Sequence, residues 1–299
     1  MKIKGSSGIS FKLISLIGFA VFAVITALRF YHTFALTDGT TGYFTENNIT
    51  VILMYVLLAI GIIGTGCLCF ICGDLPTGRI RKKVSYVSAA AGFLFGAVLI
   101  YTGLKSVFAA GVFGLSNYSF PLIKEAFGGV LGLLNAIFAI AGGVVIIVET
   151  LYAAGGKEIP SFMKLFMLIP VLWAFCETLG FFSVTVSYVK VSQLFFAIFS
   201  VAFLMLFLFE NARMTSDIGR KEAVWCFYAT GIIAAGISFA AGLPYLVAAF
   251  AAPEKVVSYC PFELYNIAGG IYCVAAMLRR VGVRENEDDS DINTVTETL

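Results

Sequence analysis

Long apolar runs alternate with short polar or basic breaks along most of the chain. A hydrocarbon core of roughly 30 Å takes about 20 helical residues to cross. Lipid offers no hydrogen bonds to free backbone groups, so such runs read as helices. Nothing alternates with the two-residue period of a barrel strand. The pattern predicts eight spans, at 12–36, 50–72, 84–109, 126–152, 162–186, 191–212, 223–250 and 260–280. The expected fold class is all-α: a polytopic membrane helix bundle of about eight transmembrane helices with both termini cytoplasmic. Residues 1–283 would form the bundle. Residues 284–299, acidic and without aromatics, read as a disordered cytoplasmic tail.

Composition agrees with the pattern. Of 299 residues, 60% are hydrophobic and only 13% charged, with mean hydropathy +0.94. A soluble domain is nearer one quarter charged. The 29 phenylalanines suit helix surface that faces lipid. A net charge of +2 gives no argument for nucleic acid as a partner. The N-terminus, MKIKGSSGISFK, is basic like a signal peptide, but the apolar run after it is too long for an h-region and lacks a small-x-small cleavage site. It reads as a retained first helix.

Charge placement sets the orientation. With the N-terminus inside, the inner segments carry fifteen Lys and Arg residues, among them Arg79, Arg81, Lys82, Lys83, Arg279 and Arg280. The outer ends carry four: Lys105, Lys124, Lys190 and Lys255. The asymmetry predicts an even number of spans. The outer segment Asp38 to Asn48 has turn chemistry in Asp-Gly and Thr-Gly, and Phe113 to Lys124 is long enough to fold back on the membrane. No sequence repeat stands out, so an inverted-repeat transporter plan is not supported.

Most small motifs have a structural reading. Gly92 and Gly96 form a GxxxG pair, and Gly128, Gly132, Asn135, Ala139 and Gly142 share one face of the fourth span. Both predict helix–helix seams. Cys67, Cys69 and Cys72 cluster near the inner end of the second span, but with no second cysteine pair and no His nearby. They read as small hydrophobes rather than a metal site. No cofactor or metal is expected. The loop GDLPTGRIRKK looks a little like the basic loop between helices two and three of major-facilitator transporters, through Gly73, Gly78, Arg79, Lys82 and Lys83. That family has twelve helices and places its loop acid later than Asp74, so the positive-inside rule is the better account. Asn48 and Asn117 head sequons on the predicted outer side. Catalytic patterns are thin: there is one His, no GxSxG elbow, and only an unplaced Ser–Lys pair to consider. The balance leans away from an enzyme.

The intramembrane polar residues are the remaining lead, because an ionisable group in lipid is costly and usually partnered. At about 1.5 Å per residue, Arg29 lies roughly 25 Å above Lys12, and Glu177 roughly 20 Å above Lys164. The two are expected to pair across the first and fifth spans. His32 shares a face with Arg29. Asn135, Glu263 and Asn266 fall in the same outer half. The candidate ligand-binding set is therefore Arg29, His32, Asn135, Glu177, Glu263 and Asn266. Glu149 and Glu210 lie near cytoplasmic helix ends and read as interfacial, with Arg213 one turn beyond Glu210. Pro170, two turns below Glu177, predicts a bend there.

The run Leu28 to Phe44, an Arg and aromatics followed by TDGTTGYF, resembles the end of the first helix in uncharacterised multi-pass membrane proteins of anaerobic Gram-positive bacteria. The resemblance implies a bacterial cell membrane and no particular activity. Taken together, the leading expectation is binding or transport of a small molecule through an outward-facing polar cavity. The alternative is a non-catalytic scaffold, sensor or complex subunit. The expected partners are the lipid bilayer, a small-molecule ligand and, through the acidic tail, a protein.

Overall fold

The computed structural model describes residues 10–38, 44, 49–72, 75, 86–111, 125–155, 159–182, 192–216, 218, 220–256 and 263–280. All named elements among them are helical: α1 Phe11–Tyr31, α2 Ile49–Ile71, α3 Tyr86–Ala109, α4 Val130–Ala154, α5 Ser161–Phe166, α6 Ile169–Phe182, α7 Ser192–Thr215, α8 Arg220–Ala251 and α9 Leu264–Arg280. A π-helical turn, His32–Leu36, extends α1, and a 3-10 turn, Pro253–Lys255, follows α8. The tail at 284–299, the sequons at Asn48 and Asn117, and the segment Phe113 to Lys124 lie outside the described residues.

Seven described spans are long and apolar enough to cross a membrane, with α5 and α6 together forming one of 22 residues. The protein is an all-α, polytopic helix bundle. Its outer surface is apolar rather than polar. On α2 alone, Ile49, Ile52, Leu53, Val56, Ile60, Ile63 and Phe70 are exposed. Such a surface needs an apolar solvent. The eighth predicted helix is present as α9, but it is different in kind. It has 17 residues, and Asn266, Arg279 and Arg280 are among its buried side chains.

The centre of the bundle is α8. Its apolar window is 72% buried, against 22% for α2. It packs on α1, α2, α7 and α9, while α9 also packs on α3, α3 on α4, α4 on α6 and α6 on α7. The ends sort by predicted side. Phe11 at the start of α1 meets Tyr228 near the start of α8, with ring centroids 4.5 Å apart. At the other side, Lys255 Nζ donates to the Thr37 carbonyl at 3.0 Å.

The α3–α4 seam depends on glycine at one point in particular. A Cβ on Gly96 would stand 2.6 Å from the Gly143 carbonyl oxygen, so the two backbones touch where only glycine fits. Gly92 faces Thr150 of α4. The GxxxG pair on α3 therefore does what its spacing predicts. The face expected on the fourth span is a helix–helix seam at Asn135 and Gly142, which meet α6, but not at its first two glycines. Gly128 and Gly129 precede α4 with φ of 69° and 124°, and a Cβ on Gly132 would meet the Phe127 carbonyl rather than a second helix. Those glycines shape the entry to α4, and Gly143 makes the seam. Gly142 packs on Pro170, whose Cα would lie 3.1 Å from its Cβ.

The fifth predicted span breaks between α5 and α6. Pro170 is the second residue of α6, and without an N–H it cannot bond back to the Phe166 carbonyl. The predicted bend is there as an interruption.

Candidate functional site

At the predicted outer half, three helices converge on one carboxylate. Glu177 of α6 accepts from Asn135 Nδ2 of α4 at 2.6 Å and from the Tyr265 hydroxyl of α9 at 2.8 Å. Trp173, one turn earlier on α6 and fully buried, sets its ring edge against Tyr265 with centroids 5.3 Å apart. Two donors on separate oxygens hold a carboxylate in fixed orientation where water is scarce. The Asn135 Oδ1 and Trp173 Nε1 atoms are buried without a hydrogen-bond partner among the described residues.

Two residues before Tyr265 stands Glu263, within electrostatic reach of Glu177. Its counter-ion is Lys105 of α3, with Nζ 3.6 Å from the carboxylate. This pair borders a cavity of about 280 Å³, lined also by Tyr101, Thr102, Leu246 and Phe250. The cavity sits among the end of α3, the end of α8 and the start of α9.

Three of the candidate residues, Asn135, Glu177 and Glu263, thus belong to one region. Asn266 is next to Tyr265 in sequence but points into the bundle. There it accepts from Ser200 Oγ of α7 at 2.8 Å, and Ser200 is 3.0 Å from Ser238 of α8. That arrangement ties three helices together and is buried throughout.

Arg29 and His32 lie elsewhere. Arg29 Nη2 donates to Gln193 Oε1 of α7 at 2.8 Å, and the guanidinium stacks over Phe196 at 4.6 Å. His32 Nε2 is hydrogen-bonded to Thr50 Oγ1 of α2 at 3.0 Å. The expected Arg29–Glu177 pair is not formed. Helix rise gives depth but not direction around the bundle. Here α1 packs on α2 and α8, while α6 packs on α4 and α7. Among the neighbours described, Arg29 meets Gln193 and Phe196, and Glu177 meets Asn135 and Tyr265.

A second polar network occupies the predicted cytoplasmic end. Arg279 Nη2 of α9 donates to Glu149 Oε1 of α4 at 2.7 Å, and the Tyr272 hydroxyl donates to Glu149 Oε2 at 3.3 Å. Asn211 of α7 donates to the Tyr272 oxygen and accepts from Arg280, both at 3.2 Å. Arg280 also donates to Thr215 Oγ1 at 3.2 Å and stacks over Phe227 at 5.1 Å. Glu149 is 0% exposed. It is therefore enclosed by protein, which corrects its reading as an interfacial acid. Glu210 is buried too, with the expected Arg213 Nη1 2.9 Å away on the next turn.

This network escapes a reading by charge alone, because Arg279 and Arg280 count there as loop cations. A signal is nonetheless present in the chain. Tyr265, Tyr272 and Arg279 recur every seven residues, as do Asn266, Cys273 and Arg280. Two adjacent polar stripes on one helix predict a helix surrounded by protein. The thiols carry no comparable pattern: Cys67 is exposed while Cys69 and Cys72 are buried, so they face different ways. Comparison with family models, curated proteins and solved structures finds no match to the chain.

Proposed function

We propose that this integral membrane protein binds and transports a small molecule, taken from the predicted outer side into the cavity beside Lys105 and Glu263. The observation that carries the reading is the cavity itself: about 280 Å³ of space bordered by opposite charges and apolar side chains. A few placed polar groups in an otherwise apolar pocket are the usual chemistry of a ligand site. Two features add support. Glu177 is a carboxylate held ready by Asn135 and Tyr265 close behind Glu263. The interruption at Pro170 stands two turns from it, and discontinuous helices are a device by which transporters build their sites. We read the membrane as a bacterial cell membrane, following the resemblance of Leu28 to Phe44.

Native mass spectrometry of the purified protein tests the reading whatever the chemical identity of the ligand. The wild type is expected to carry a co-purifying small molecule that is lost in Glu263→Gln. A wild type that emerges bare, or an adduct that Glu263→Gln retains equally, would contradict it.

A further inference from the structure

The rim of the outer cavity is unusual for a site fed from water. Tyr101 is 57% exposed, Phe250 83% and Leu264 45%. All three belong to helices of the bundle, and large apolar side chains so exposed suit a surface that faces lipid. Lys105 is half exposed beside them, and Glu263 less so. That rim points to a sideways opening, between α3 and the facing ends of α8 and α9.

Depth along the helices adds a second constraint. Lys105 is one turn from the end of α3, and Glu263 directly precedes α9. Both stand at helix ends, where a span is expected to leave the hydrocarbon. Tyr101 is one turn deeper on α3, about 6 Å by helix rise. Leu246 and Phe250 share a face at the end of α8. Charges of both signs thus stand at headgroup height, with aromatic and aliphatic walls below them. Tyrosine favours that boundary.

We propose, building on the binding function above, that the ligand is a phospholipid whose headgroup carries both a phosphate and a primary amine. It enters laterally from the outer leaflet. Lys105 faces the phosphate and Glu263 the ammonium. The 3.6 Å ion pair opens to admit them, exchanging one charge pair for two. Size supports a headgroup rather than a whole lipid: the cavity's 280 Å³ falls just below the roughly 300–1,000 Å³ of pockets that enclose a ligand. The acyl chains stay in the bilayer, along Tyr101, Phe250 and Leu264. A lipid with an anionic headgroup and no amine would satisfy Lys105 but leave Glu263 facing a like charge.

The test is a competition in detergent, read by native mass spectrometry with three probes: dioleoyl phosphatidylethanolamine, dioleoyl phosphatidylglycerol and water-soluble glycerophosphoethanolamine. The wild type should retain the ethanolamine lipid about ten-fold over the glycerol lipid, the size expected of one charge-assisted contact. Glu263→Gln should abolish the preference. Equal retention of the two lipids by the wild type would overturn the proposal. If glycerophosphoethanolamine binds as well as the lipid, the ligand is soluble. The lateral route then fails while the binding reading stands. If none of the three binds and the purified protein carries nothing else, both fail. Should Glu263→Gln not insert, the wild-type competition decides alone.

Discussion

Glu149 and Arg279 show what a charge inside this bundle requires. Both are buried, and each is the other's counter-ion, with Tyr272 as a second donor to the carboxylate. Breaking such a pair strands a buried ion, at a cost of about 3–5 kcal/mol, whereas replacing both partners by apolar groups can be nearly neutral. Arg279→Gln should therefore lower thermal stability in detergent sharply. Adding Glu149→Leu should restore much of it. Costs that simply add in this double-mutant cycle would contradict the pairing. At this scale the sequence is half legible. It marks which polar residues sit at membrane depth, and Asn135, Glu177 and Glu263 do converge. It does not carry azimuth, so helix rise alone pairs Arg29 with Glu177, whereas Arg29 donates to Gln193 of another helix. Lys105 and Tyr265 look like ordinary end residues until their helices stand side by side.

Helices are more legible than contacts because hydropathy is a property of a whole run and tolerates local error. All eight predicted spans correspond to helices, and the proline in the fifth marks its interruption. Seams are harder, since spacing alone does not say which glycine meets a neighbour. Gly96 and Gly64 separate the two cases. A Cβ on Gly96 would collide with the Gly143 backbone, which cannot rotate away, whereas one on Gly64 would meet nothing within 4 Å. Gly96→Ala is expected to destabilise by about 1–3 kcal/mol through overpacking. Gly64→Ala is expected to be neutral or to stabilise by up to about 1 kcal/mol, from helix propensity. Thermal midpoints of the two variants in the same detergent check both signs. Equal losses would mean that the α3–α4 contact is looser than described.

For the whole molecule, the polar residues sort toward opposite ends of a bundle centred on α8. The network at the predicted cytoplasmic end, formed by Glu149, Arg279, Tyr272, Asn211 and Arg280, is enclosed by protein, and it reads as a fixed clamp. The cluster at the predicted outer end has space beside it, and in the proposal made above it is the working end. That division rests on sidedness, which the fifteen-to-four distribution of Lys and Arg predicts. The most direct measurement is labelling of Glu254→Cys, in the exposed turn that follows the cavity-lining end of α8, with a membrane-impermeant maleimide in intact cells after the native cysteines are replaced. The account predicts labelling from outside without permeabilisation. Labelling only after the membrane is opened would put the cavity on the cytoplasmic side and contradict it.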